Sequence, residues 1–291
     1  MLSRLDMHTG VTFTVCSAVA TASPRGASSQ DRAGAPVVAG GAAAVLCDGV
    51  GSLKDSSLVA ELALAAACDH ITAEGVGAGI VSCPGVAAEA LAGHGELPDG
   101  ATTLVAIGAD EDGHVCFTLV GNGSIFAIEP LSVRDGRAQL LFGELALPHM
   151  EMVGAQAALR SVLPAQHLPV EATAGGLLPR PGRTRLLLAC TDGITSAEER
   201  DQIGKVESTG QVWAQMHPPF VEVLEVLSTA WGDLTRDPGS SEALERALES
   251  ALESCVGQGL LDDDASVGAV LVAPVPEGLI PEDAADDEAA G

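Results

Sequence analysis

Apolar and polar positions change rhythm several times along the chain, and each rhythm predicts an element. "VTFTVCSAVA" (11–20) alternates and is rich in β-branched residues, the period-two signature of a strand. Residues 37–47 are apolar nearly throughout, which predicts a second strand covered on both faces. The period then lengthens: Ser56-Ser57 is placed to cap a helix over "LVAELALAAACDHI", and a second helix falls within 79–92. "TTLVAIGA" (102–109), "HVCFTLVG" (114–121) and "SIFAIEP" (124–130) follow, separated by "DEDG" and "GNG", turn chemistry that predicts a meander of antiparallel strands. Another strand lies within 137–142, and "TRLLLAC" (184–190) is a further buried run. From 196 to 258 the pattern is helical, with Glu242, Glu245, Arg246 and Glu249 on a solvent side and Leu244, Leu248 and Leu252 inward. "VGAVLVA" (267–273) is the last strand. This order predicts an α+β layered sandwich of antiparallel sheets rather than alternating βαβ units.

Composition narrows the picture. With 291 residues, 47% of them hydrophobic, the chain can bury a sizeable core, and no Pro/Ser-rich linker divides it. Only 2% of residues are aromatic and none is Tyr, so the core must be built from small aliphatic side chains packed closely. Forty acidic residues against fourteen basic ones give a net charge of −26, which disfavours nucleic acid and anionic membranes and favours cationic partners such as metal ions or basic protein segments. The seven cysteines form no C-x-x-C pair and mostly sit in apolar runs, the pattern of a reducing compartment. Neither a secretory leader nor an unbroken apolar stretch of ~18 residues stands out, so the expected location is the cytoplasm. Residues 1–10 read as an N-terminal leader without a role, and the acidic, Pro- and Ala-rich stretch 274–291 as a disordered tail.

Candidate chemistry lies where buried runs stop. "AAAVLCDGVGS" ends at Asp48-Gly49, "RLLLACTDG" ends at Asp192-Gly193, "LDDDASVGAVLV" places three carboxylates before the last strand, and "SSQDR" puts Asp31 between the first two strands. Asp-Gly is ordinary turn chemistry, and that reading suffices for Asp112 and Asp135. Asp48 and Asp192 differ because their strands read as buried on both faces, so these side chains emerge at a sheet end. A sandwich could bring all four positions to one edge. Two carboxylates ~4 Å apart repel by ~4 kcal/mol at an effective dielectric near 20, so such a gathering requires cations. Oxygen ligands without His suit Mg2+ or Mn2+ rather than Zn2+, and two such ions serve phosphate-ester hydrolysis.

"SSQDR", "LCDGVGS", "DGATTLVAIG", "LVGNGSIFAI", "LLLACTDGIT" and "LDDDASVGAVLV" resemble, in order and rough spacing, the signature stretches of the metal-dependent protein phosphatase 2C family, its bacterial members above all. The resemblance covers residues 11–273. It implies a four-layer α/β/β/α sandwich of two antiparallel sheets with flanking helices and two metal ions, Mn2+ or Mg2+, at one end. By the same resemblance, Asp48 is the carboxylate bridging both metals, Gly49 offers its carbonyl, and Asp192 matches the aspartate of the "SDG" stretch. Asp263 matches the aspartate before the last strand, with Asp262 and Asp264 as alternatives of register. Asp31 matches a ligand acting through metal-bound water, and Thr102 and Thr103 match a structural pair beside the site.

Several positions depart from the family pattern. Val50 stands where mammalian members carry a His proposed as general acid. Asn122 stands where many bacterial members place a third-metal aspartate, and an amide is a poorer ligand, while Ser196 occupies a position acidic in some members. The phosphate-binding arginine is matched by Arg25 if the loop carries one extra residue; Gly26 holds the usual spacing. His70, His94, His114, His149, His167 and His217 are scattered without ligand spacing and read as surface or core residues. "GVGAG" (75–79) is an incomplete phosphate-loop pattern. Trp213, Met216 and Phe220 fall where the family has a variable flap, with buried packing the simpler role. The resemblance implies a monomeric phosphoserine/phosphothreonine protein phosphatase using a metal-bridging hydroxide, opposed to a kinase pathway. A pseudophosphatase binding module and a small-ester phosphatase are the alternatives.

Overall fold

Nearly every strand expected from the sequence forms in the structure, a computed structural model that describes residues 12–24, 29–51, 53–94, 99–153, 156–163, 170–195, 203–206, 211–214 and 216–275. Strands β1 (Phe13–Ala22), β2 (Arg32–Gly34), β3 (Val37–Val38) and β4 (Gly41–Cys47) lead into helix α1 (Ser56–Ala92). A meander of β5 (Leu104–Asp110), β6 (Val115–Val120), β7 (Ser124–Arg134) and β8 (Arg137–Ala146) follows, then β9 (Met150–Val153), β10 (Gln156–Leu159), β11 (Thr173–Leu177) and β12 (Arg185–Cys190). The short α2 (Asp192–Thr195), the paired strands β13 (Ile203–Val206) and β14 (Gln211–Ala214), α3 (Pro218–Leu234), α4 (Ser241–Gln258) and β15 (Ala265–Pro274) complete the chain.

One sheet has the order β1-β15-β12-β7-β8 and the other β11-β6-β5-β4-β2, with β3 also on β4, and the pairings are antiparallel. The sheets face each other across Ala44, Leu46, Val105, Ile107, Leu187 and Val270. Helix α1 covers the outer face of the second sheet through Val59, Ala63, Ile71 and Ile80. Helices α3 and α4 cover the first through Leu227, Trp231, Leu248 and Leu252. The result is the α/β/β/α sandwich anticipated from the sequence. Small side chains let the layers approach: a Cβ on Gly268 would lie 3.1 Å from the Cβ of Ala44 across the inter-sheet core.

Three local expectations change. Ser56 does not cap α1, whose N-cap is Asp55; its buried hydroxyl instead donates to the Val50 carbonyl at 2.7 Å and ties the loop after Asp48 to the helix. The two helices expected over 58–71 and 79–92 run on as one helical stretch broken at Gly75, whose φ of 80° takes the backbone out of the helical region. By length and composition α1 could cross a membrane, but its buried face sits on the second sheet. Ile203–Val206 and Gln211–Ala214 pair as antiparallel strands rather than forming helix. There the β-branched Ile203, Val206 and Val212 were outweighed by the strong helical period that follows.

Register carries every chain segment of interest to one end. Arg32 pairs with Cys47, Ala22 with Ala265, and Cys190 with both Ser124 and Val267. Asp31, Asp48, Asn122, Asp192 and Asp264 each lie one or two residues beyond these pairs. The closeness of the layers is testable. Ala44→Leu forces three extra heavy atoms between the sheets and is expected to lower stability by about 1–3 kcal/mol in urea denaturation.

Candidate metal centre

The backbone around Asp48 is held by the two threonines that precede β5. The Asp48 N–H donates to Thr103 Oγ1 (3.3 Å), and its carbonyl accepts from the Thr103 N–H (2.8 Å) and from Thr102 Oγ1 (2.9 Å). The tandem threonines therefore aim the carboxylate that follows β4. Gly49 is required for a reason beyond metal approach. An added Cβ would lie 3.1 Å from both the Gln30 carbonyl oxygen and the Ser56 carbonyl carbon, where three segments meet.

Asp31 is 2% exposed, and its Oδ2 accepts from Thr191 Oγ1 at 3.0 Å. The same hydroxyl accepts from the Ser266 N–H at 2.8 Å, so one threonine joins β12, β15 and the Asp31 loop. Asp192 opens α2, and its Oδ2 accepts from the Asn122 amide. Gly193 allows the next contact, because a Cβ there would fall 2.1 Å from the Asp264 carbonyl oxygen. Of the three alternatives of register, Asp264 is the half-buried one. Its Oδ2 accepts from the Gln30 N–H at 2.7 Å, and its charge bears on Asp31. Asp263 is exposed, accepts from the Asp264 N–H at 2.9 Å, and its charge bears on Asp192. Asp262 is exposed.

Asp31, Asp48 and Asp192 thus meet, and their protonation records it. Burial, then the charges of Asp31 and Asp192, push the Asp48 carboxyl well above the ordinary carboxylate range. Burial dominates for Asp31, which is raised to about 6 even though contacts to Asp48 and Thr191 pull the other way. Asp192 is raised by burial, with Asp263 adding to the rise. No ion pair among the described residues includes Asp31, Asp48, Asp192 or Asp264. The guanidinium of Arg32 is nearby, but it is spent on the Ser29 and Asp31 carbonyls and on Ser57 Oγ. Asp31 Oδ1 and Asn122 Oδ1 are buried with no hydrogen-bond partner among the described residues.

Stranded oxygens beside crowded carboxylates fit a divalent cation of the hard, oxygen-preferring kind. Asn122 already donates to Asp192, so its amide acts here as an orienting group. Arg25 and Ser196 lie outside the described residues. Val50 offers no titratable group, and its N–H donates to the Ala101 carbonyl. The sequence had not singled out Thr191, Gln30 or Asn122 as partners of these carboxylates, because each acts across more than 65 residues of chain. A separate trio, Asp110, Asp112 and His114, has ligand atoms within 4.8 Å of one another but belongs to the β5–β6 turn. Asp110 Oδ1 there accepts from the N–H groups of Asp112 (3.1 Å) and His114 (2.8 Å), which accounts for the cluster.

Two outcomes follow for the metal-free protein. The folded Asp31 carboxyl keeps its proton to about pH 6, whereas an unfolded one loses it near 3.9, so the folded chain binds more protons between these values. Stability contributed by this group therefore falls as pH rises from about 4 to about 6 and stays low above, a loss on the order of a few kcal/mol. Denaturation of wild type and Asp31→Asn across pH 4–8 checks this: the variant is expected to show a shallower fall, with Asp48 and Asp192 supplying what remains. Asp48→Asn removes the central charge and is expected to raise the metal-free Tm by several degrees at pH 7.5 while abolishing the Tm gain on adding Mn2+, as read by calorimetry.

No protein-family model and no curated protein matches the sequence. Solved structures do. The PPM Ser-Thr phosphatase MsPP from Mycobacterium smegmatis superposes with a TM-score of 0.53 at 15% identity, covering 87% of this chain and 97% of that one. The Mycobacterium tuberculosis serine/threonine phosphatase PstP/Ppp gives 0.54 at 17% identity, covering 89% and 98%. The catalytic domain of PstP in complex with two manganese ions gives 0.55 at 18%, covering 90% and 100%. With its two antiparallel sheets between helices and its acidic end, the protein has the fold of the PPM, or 2C-type, serine/threonine phosphatases.

Proposed function

We propose that residues 11–273 form a metal-dependent phosphoprotein phosphatase that hydrolyses phosphoserine or phosphothreonine. The observation that carries this reading is the convergence of Asp31, Asp48 and Asp192, with Asp263 and Asp264 beside them, on buried oxygens that lack a donor among the described residues. Carboxylates forced together without a countercharge destabilise the fold, and they find a use where divalent ions neutralise them. Asp48, Asp192 and Asp263 would hold two Mn2+ or Mg2+ ions, with the Gly49 carbonyl and Asp31 completing the oxygen set. Such ions supply charge stabilisation for a phosphoryl group and a nucleophile from water at neutral pH.

The chain's own residues position and exclude. Thr102 and Thr103 fix the Asp48 peptide, Thr191 fixes Asp31, and Asn122 fixes one oxygen of Asp192. With Val50 where a general acid would stand, the proton for the departing serine or threonine oxygen comes from solvent. The ester is cleaved with one water consumed, giving the free hydroxyl and inorganic phosphate. Arg25 is our candidate for holding the substrate phosphate, through the bidentate contact that guanidinium groups make. The seven free cysteines fit a reducing cytoplasm, and a phosphorylated protein from a serine/threonine kinase pathway is the substrate we favour.

The test is hydrolysis of p-nitrophenyl phosphate and of phosphoserine and phosphothreonine peptides with and without Mn2+. Turnover is expected only with metal, and Asp48→Ala and Asp192→Ala are each expected to lower kcat by at least about 10³-fold, the several kcal/mol that metal-held charge stabilisation supplies. Metal binding without turnover would instead make the chain a binding module on a phosphatase fold. Turnover of small esters but not peptides would make it a small-molecule phosphatase.

A further inference from the structure

His149 sits far from the carboxylates in sequence and touches none of them, yet its contacts end at the metal centre. It is 4% exposed. Its Nδ1 accepts from the Gly121 N–H at 3.3 Å, and its own N–H donates to the Gly121 carbonyl at 2.7 Å. Its Nε2 lies 2.9 Å from Thr173 Oγ1, at the start of β11. Nδ1 is thus the acceptor, and the ring is the neutral tautomer with its proton on Nε2, donated to Thr173. Burial and the positive charge of Arg160 disfavour the imidazolium, while Glu171, ion-paired with Arg160 at 2.7 Å, opposes them.

Gly121 needs this clamp. Its φ of 104° is open to glycine alone, and a Cβ there would lie 2.5 Å from the Thr103 side chain, so the turn between β6 and β7 is pressed onto the threonine that holds Asp48. The next residue, Asn122, is 7% exposed and donates to Asp192 Oδ2. The Gly121 N–H belongs to the peptide before its Cα and the C=O to the peptide after it, so the two bonds hold the planes on both sides and with them the φ and ψ of this glycine. That conformation sets the direction in which Asn122 leaves the turn.

We infer that His149 is a positioning residue of the metal centre: by holding the N–H and the C=O of Gly121, one on each side of its Cα, it orients Asn122, and through Asn122 the carboxylate of Asp192. The inference rests on the metal-site reading above. Partners that orient a metal ligand are typically worth 10–100-fold in metal affinity. Two substitutions separate orientation from packing. In His149→Asn the amide oxygen falls where Nδ1 was and keeps the bond to the Gly121 N–H, while the contact to Thr173 is lost. In His149→Gln the amide reaches Thr173 instead and the Gly121 acceptor is lost.

Titration calorimetry with Mn2+ on the full chain, with circular dichroism to check folding, reads the difference without relying on turnover. Asn is expected to keep the affinity within about threefold of wild type, and Gln to weaken it about 10-fold or more. Thr173→Val, which removes only the far partner of the ring, is expected to leave the affinity unchanged. Equal affinities for wild type and Gln, or an Asn variant weakened as much as Gln, would overturn the inference. Should the Gln variant fail to fold, ¹⁵N NMR of the wild-type ring decides: a proton on Nδ1 overturns the inference, and a bare Nδ1 with Nε2–H upholds it. Mn2+ binding without hydrolysis sinks the phosphatase reading and leaves His149 in place. Absence of Mn2+ binding in the wild type sinks both.

Discussion

Mutual repulsion among Asp31, Asp48 and Asp192 is the constraint around which one end of this molecule is organised. Each carboxylate comes from a different segment: Asp48 and Asp192 follow strands locked in the core, and Asp31 precedes the short, half-buried β2. Asp31 and Asp192 cannot turn away without giving up the side-chain hydrogen bonds from Thr191 and Asn122, and the Asp48 peptide is held by Thr103. In the metal-free fold all three carboxyls are accordingly raised above their ordinary range, by burial first. Two doubly charged ions would turn the same crowding from a liability into affinity.

Small residues make that convergence possible. The sheets pack through Ala44, Ala189, Gly268 and their neighbours, so the layers lie close and the loops at their ends meet. Glycines at 49, 121 and 193 serve the same end, since each removes a Cβ that would strike another segment. Threonines supply the cross-links. Thr102, Thr103 and Thr191 each spend a hydroxyl on a partner brought alongside by tertiary contact, and Thr102 and Thr103 themselves occupy the first strand-like residues of the meander. The neutral donors orient the carboxylates without cancelling their charge, which leaves that charge for a cation.

Much of the architecture could be read along the chain. Alternation in 13–22, the unbroken apolar runs 41–47 and 185–190, and the Asp-Gly turns at 112–113 and 135–136 all became what their patterns describe, the last with φ of 52° at Asp135 and 80° at Gly136. Less was legible where two rhythms overlap, as in the paired strands Ile203–Val206 and Gln211–Ala214 beside strongly periodic helices. The role of Ser56 was equally hidden. A serine before an apolar helix looks the same whether its hydroxyl caps that helix or reaches the Val50 carbonyl.

Sequence alone determined the fold class and named Asp31, Asp48 and Asp192, because period and the abrupt end of a buried run are local properties. It put Asp263 ahead of Asp262 and Asp264 on resemblance alone and gave His149 no part. Neighbouring residues on a strand-end loop share composition, and only the register of β1 on β15 and the approach of Gln30 set Asp264 apart from the others. In the same way, the reach from His149 through Gly121 to Asn122 and Asp192 exists only once β6, β7 and β12 are packed. Hydrogen bonds act over about 3 Å of space, and no spacing along the chain encodes which distant groups will come within that distance.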